Sequence, residues 1–193
     1  MLTTQQALID EITSAFEGVE RGNGVTLHEA TVIDSYGSLE ERAKARLQDT
    51  EKRWQDVPKQ DIANVDAVLS FLDDEGFHYY IPAYVVWYLK NIDNAAIRSS
   101  NTFDSVVFHL TYNTEAGRES RFERLTKEQK RAIAHFLTFV AQREEAIDRK
   151  DYQLDMAEGG MTLEEIESTL RDYFAGNPTC LTKALAQYWN QFL

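Results

Sequence analysis

Apolar residues recur every three to four positions along most of this chain, the spacing that lays a stripe down one face of an α-helix. Leu8, Ile12, Ala15 and Phe16 make the first stripe, and Leu39, Ala43, Leu47, Thr50 and Trp54 make the second. Pro58 ends the second by removing a backbone donor. Ile62, Val65, Leu69 and Leu72 predict a further helix running to an acidic turn at Asp73-Asp74-Glu75. Later stripes are Ile133, Phe136, Leu137 and Val140, then Leu163, Ile166, Leu170 and Phe174, closed by Gly176-Asn177-Pro178. Leu181, Leu185, Tyr188, Trp189 and Phe192 predict a last helix, docked by its large aromatics.

Helix starts are marked as well. Thr3 with Gln6, Ser38 with Glu41, Thr126 with Gln129, and Thr162 with Glu165 have capping-box spacing. In each, a hydroxyl accepts from an orphan N–H and the residue three positions on returns the bond.

The densest apolar run lies in Phe71 to Asn91, with Phe77, Tyr79, Tyr80, Tyr84, Trp87 and Tyr88. Val85 to Leu89 is apolar on every side, which predicts a helix buried on most faces, with Pro82 as its first residue. The other arrangement leaves Tyr79 or Tyr84 at a rim beside Asp73 and His78, as an aromatic anchor for a partner. From Asn101 to Leu125 the helical pattern weakens. Ser105 to Tyr112 is β-prone and Glu115-Ala116-Gly117 suits a turn, so the region reads as a short β-hairpin over residues 105–125 or as one more helix. With no repeat, linker or low-complexity tract, residues 1–193 read as a single, compact all-α domain.

Composition narrows the function. The chain has 193 residues, enough for a core without disulfides or metal, and a net charge of −12. Its only mildly positive stretches, 37–60 at +1 and 118–153 at +2, interleave acids with bases. That pattern suits solvated, pair-laced helix faces and argues against nucleic-acid binding. The single cysteine, Cys180, forbids an internal disulfide. The N-terminal stretch lacks signal-peptide character, and the longest apolar run, Ile81 to Leu89, is nine residues, too short to span a bilayer. A reducing, cytoplasmic setting is the expectation.

Phe71-Leu72-Asp73, Gly76-Phe77, Tyr80 and Pro82-Ala83-Tyr84 together resemble the central motif of a bacterial family of unknown function. Upstream Asp49 and Trp54 match that family too, as do downstream Leu125-Thr126, Gln129, Ala132-Ile133 and Phe136-Leu137. The resemblance covers roughly residues 10–140 and implies no activity, cofactor or partner.

Few residues carry chemistry. Asp73, Asp74 and Glu75 beside Gly76 and His78 are the one dense acidic cluster, but three consecutive acids do not converge on a cation. They read instead as a helix terminus, with Gly76 supplying a positive φ at a turn. His28, His78, His109 and His135 never stand three or four apart, so no two share a helix face as zinc ligands. His28 and Glu29 are adjacent and point apart on a helix. Nucleophile elbows, phosphate loops and dinucleotide fingerprints are missing, so no metal and no cofactor is expected.

These observations predict a non-enzymatic intracellular binding or accessory protein. Its expected surface carries Asp73, Asp74, His78, Tyr79, Tyr80 and Tyr84 and faces a basic protein partner. The alternative is a hydrolase or lyase whose dispersed carboxylates and histidines meet only in the fold, with or without a metal. A subunit acting through self-association is the third reading. A deep polar cleft with facing ionisable groups is what separates enzyme from binder.

Overall fold

Thr4 opens α1 (Gln5–Ala15) by accepting from the Ala7 N–H at 3.2 Å. In the computed structural model, which describes residues 4–64, 68–98, 100–115 and 119–193, side-chain caps start most of the longer helices. The boxes at Ser38, Thr126 and Thr162 form as their spacing predicts, opening α3 (Leu39–Arg46), α8 (Lys127–Glu158) and α9 (Leu163–Gly176). Thr3 lies outside the described residues. A further box, Thr26 with Glu29, opens α2 (Leu27–Asp34).

The remaining helices are α4 (Lys59–Asn64), α5 (Asp74–Asn91), α6 (Ala95–Arg98), α7 (Asn101–Glu115) and α10 (Cys180–Gln187). Short 3-10 turns stand at Trp54–Asp56, Val68–Ser70, Glu119–Phe122 and Trp189–Phe192. The described residues contain no strand, and the fold is all-α.

Helix α5 is the axis of this fold. Twelve of its eighteen residues are buried, so it meets neighbours on every side instead of along one stripe. Helices α1, α4 and α7 and the turn at Trp54–Asp56 pack on it. Helix α8 closes the other side of α1, and α10 bridges α7 and α8. The Trp189 indole N–H donates to the Leu110 carbonyl at 2.9 Å, pinning the C-terminal segment to α7 as its aromatics predicted. Truncating a wholly buried Trp of this kind costs about 3–5 kcal/mol.

Helix α8 is buried through Val140, and beyond that no residue is fully covered. Helix α9 packs along this distal half through Ile166 and Leu170. There the Tyr152 and Tyr173 hydroxyls stand 3.1 Å apart, and Arg149 lies 4.6 Å over the Phe174 ring.

Several expectations are corrected. Of the two readings for residues 105–125, hairpin or helix, the helix holds among the described residues, as α7 followed by the Glu119–Phe122 turn. Phe103, Val106 and Leu110 are spaced for a helix face and are buried, so packing overrides the β-preference of the run. The turn assigned to Ala116-Gly117 lies outside the described residues. The second stripe breaks after Arg46, and Leu39 and Leu47 stand 79% and 77% exposed. Helix α3 is held on α2 by ion pairs and Ala45, so it has no large apolar face to bury. The stripe from Ile62 divides into α4 and the Val68–Ser70 turn, with Val65 outside the described residues.

Helix α5 also starts earlier than expected, at Asp74, which places Pro82 inside it. Pro82 has no N–H to offer the His78 carbonyl one turn back. Gly76 is helical and has no positive φ. It is needed for close approach, because a Cβ there would stand inside the contact distance of the Val25 carbonyl.

Gly76→Ala is therefore expected to destabilise the protein by about 1–3 kcal/mol through overpacking. Gly176→Ala, at a position where a Cβ meets nothing within 4 Å, should be neutral or stabilising. Denaturant melts of the two variants separate these effects, and equal losses would show that crowding at Gly76 is unimportant.

Candidate functional site

Two stretches far apart in sequence meet at the start of α5. Asp73 Oδ1 accepts from its own helix at Gly76 N (2.7 Å) and from Val25 N (3.0 Å). Gly24 lies directly against the Gly76 backbone, where no side chain fits. This seats the loop before α2 on α5 and sets the direction in which Thr26, His28 and Glu29 leave it.

Beneath the loop runs a polar network. An Arg21 Nη1–H faces the Asp49 carbonyl at 3.1 Å, Glu51 Oε1 at 2.9 Å and the Tyr80 hydroxyl at 3.2 Å. Tyr80 donates to Glu51 at 2.7 Å, and burial together with that bond holds its pKa above the ordinary range. The carboxylate of Asp49, 6% exposed, takes the His28 backbone N–H at 3.0 Å and the His28 ring Nδ1 at 2.7 Å. Glu29 accepts from Arg42 at 3.1 Å and Arg46 at 2.9 Å, and Arg46 also reaches the Gly24 carbonyl at 2.8 Å. His28 and Glu29 diverge, as neighbours on a helix must.

The His28–Asp49 pair has the orienting half of an acid–base device. A buried carboxylate fixes the Nδ1 proton, which leaves Nε2 as the acceptor. Two open clefts in the structure are lined by other residues, so the pair faces neither of them.

The remaining histidines occupy separate environments. His78 Nε2 donates to Gln129 Oε1 at 3.0 Å, and burial lowers its pKa. His135 faces both Glu11 oxygens at 2.9 Å and ties α8 to α1. His109 is buried, with Ser70 Oγ at 3.1 Å from Nε2 and an Arg121 N–H at 3.5 Å from Nδ1. Arginine has only donors, so Nδ1 accepts and Nε2 carries the proton toward Ser70. That tautomer cannot accept the serine proton, and the contact is structural. Among the described residues no group of three or more His, Cys, Asp or Glu is placed to hold a metal.

The six residues expected to form a binding surface are mostly used for folding. Tyr79, Tyr80 and Tyr84 are buried, so the aromatic-edged patch is corrected to a core of aromatic side chains. Tyr79 stands edge-on to Tyr80 at 4.9 Å, and its buried hydroxyl has no hydrogen-bond partner among the described residues. Asp73 is exposed but is spent as the helix cap, His78 is bonded to Gln129, and Asp74 is exposed, 4.0 Å from Arg121. The all-round apolar run Val85 to Leu89 already pointed to this burial, because no polar face remains for the tyrosines to border.

Sequence reading missed the concavity beside α7. It has a volume near 430 Å³, with Tyr88, Phe103 and Val107 inside and Asp104 and Glu144 among its polar groups. Phe108 and Tyr112 line it while standing 48% and 41% exposed, their rings stacked at 4.8 Å. Burial raises the Glu144 pKa, and the nearby Asp148 and Asp104 charges raise it further. The four-residue step from Phe108 to Tyr112, opposite the Phe103–Val106–Leu110 face, is the signal that was available.

Among the described residues, an all-helical protein whose buried carboxylates Glu29, Asp49 and Glu51 are committed to cross-links between segments, with open clefts beside α7 and α4, is the class that this geometry defines. The chain belongs to the family described as "Family of unknown function (DUF6714)", which it matches over residues 4–193. That span takes in the C-terminal third that the motif resemblance did not reach. No curated protein and no solved structure matches the chain. Among the described residues no helix is long and apolar enough to cross a membrane.

Burial, with the Arg121 guanidinium nearby, pushes the His109 pKa down from 6.5 to about 4. The unfolded chain thus binds a proton at a pH where the folded one does not. The stabilising effect of a neutral His109 is complete above about pH 6.5 and is lost as pH falls toward 4. His109→Gln keeps a donor for Ser70 and should flatten this part of the acid limb in melts across pH. An unchanged limb would mean that His109 does not titrate with unfolding.

Proposed function

We propose that the protein is a non-enzymatic binding protein that receives a basic, partly apolar segment of a protein partner in the groove beside α7. The observation that carries this reading is the stacked, half-exposed Phe108–Tyr112 pair beside a concavity containing Asp104 and Glu144. Apolar walls with a few charged groups of one sign suit a Lys or Arg flanked by apolar side chains. The −12 net charge would speed the approach of such a partner. Compared with the Asp73–Tyr84 surface expected from sequence, this groove has the exposed rings that the first surface lacks. An intracellular accessory role accords with a chain that has a single cysteine.

Glu144 gives the reading a pH signature. Its raised pKa means that ionisation is less favourable in the folded protein than for a free carboxyl. An incoming cation favours the ionised form, so binding should release a proton and tighten as pH rises through the raised pKa.

The test uses a twelve-residue peptide of alternating Leu and Arg, with versions carrying Gln or Glu for Arg. Calorimetry should detect the Arg peptide and lose most of the heat with Gln and all of it with Glu. Phe108→Ala/Tyr112→Ala should weaken binding about tenfold, the scale of an aromatic anchor. Equal binding by this variant and wild type would refute the groove as the site. Glu144→Gln should weaken the peptide yet raise the neutral-pH melting temperature, because it removes a poorly solvated charge; a lower melting temperature would contradict the pKa argument.

A further inference from the structure

The second concavity has the opposite charge character. It lies where α4 and the Trp54–Asp56 turn meet α5, and its volume is about 260 Å³. Trp54, Ile62, Ala83 and Trp87 give it an apolar floor, and Lys59 and Lys90 stand at its rim. The Trp54 indole N–H is already donated to the Phe16 carbonyl at 2.9 Å, so this ring offers the cavity carbon surface and no hydrogen bond.

The two lysines differ from most arginines of this protein, as do its other lysines apart from Lys44. Acids outnumber bases by 32 to 20, and nine arginines stand within ion-pair distance of carboxylates. Lys59 and Lys90 are exposed and form no ion pair among the described residues. Neither contributes visibly to folding, yet both border one indole-floored hollow. Two ammonium groups over carbon walls complement an anionic head on an apolar body, in a pocket at the small end for organic ligands.

We propose that this pocket binds a small organic anion, an aromatic carboxylate, with its ring against Trp54 and Trp87 and its carboxylate toward Lys59 and Lys90. Its residues are separate from those of the α7 groove, so the two sites stand or fall independently.

Phenylacetate is the probe, read by tryptophan emission, since two of the three tryptophans line the pocket. A saturable change with a Kd of about 1 mM is expected, the scale set by roughly ten non-hydrogen atoms. Phenylacetamide, the neutral match, and phenethylamine, the cationic one, should bind at least about tenfold more weakly. Lys59→Gln and Lys90→Gln should each cost about threefold, and together about tenfold, with the melting temperature unchanged. Equal affinity for phenylacetamide overturns the proposal, as does a double variant that folds normally and keeps wild-type affinity. The absence of any saturable change overturns it as well.

Discussion

One carboxylate oxygen joins the two halves of this molecule. Asp73 Oδ1 caps the most buried helix and at the same time holds the Val25 N–H, 48 residues earlier in the chain. Caps are worth about 1 kcal/mol where they satisfy a single helix end. Here the same atom also fixes a loop whose backbone runs so close to α5 that Gly24 and Gly76 must both lack a side chain. The segment from Arg21 to Glu51 is seated there: the Arg21–Glu51–Tyr80 network below the loop, the Thr26 box, and the His28–Asp49 and Glu29–arginine pairs. The sequence motif around Asp73 and Gly76 is thus a joint between segments.

The buried charges follow from this construction. Asp49, Glu29, Glu51 and Arg21 link segments whose backbones end in loops and lack a continuous apolar face. Removing one partner of such a pair leaves the other desolvated and unmatched, which costs more than the pair contributes. Helix α3 illustrates the choice: it packs almost nothing apolar apart from Ala45, and Arg42 and Arg46 hold it to Glu29. Such cross-links rigidify the α2–α3 hairpin, and they absorb side chains that a reaction centre would need.

Two clefts open on the flanks of α5. One side, beside α7, combines aromatic surface with carboxylates, and the other, beside α4, combines indole surface with ammonium groups. A single buried helix thereby separates two clefts of opposite charge preference in a protein whose overall field is negative. Ligands of opposite sign would sort between them by local charge, since screening confines the mean field to about 8–10 Å.

Helical class was legible because the stripes after Thr126 and Thr162 have both the period and the caps of helices, signals that arise within a few residues of chain. The same local logic left hairpin and helix open at Ser105–Tyr112, and β-prone residues became α7 because Phe103, Val106 and Leu110 had a core to enter. It failed at Leu39 and Leu47, whose helical spacing has no partner surface to meet. The candidate sites were hidden for the same reason. Pairing Asp49 with His28, or Lys59 with Lys90 across an indole floor, joins residues more than twenty positions apart, and no window of sequence contains both. The sequence by itself determined an acidic, all-helical chain with an aromatic core segment, because period, caps and charge are local. Tertiary structure alone decided which tyrosines are sealed inside and which carboxylates are spent on arginines. It also decided where two hollows stay open, because burial and approach depend on what the distant parts of the chain bring alongside.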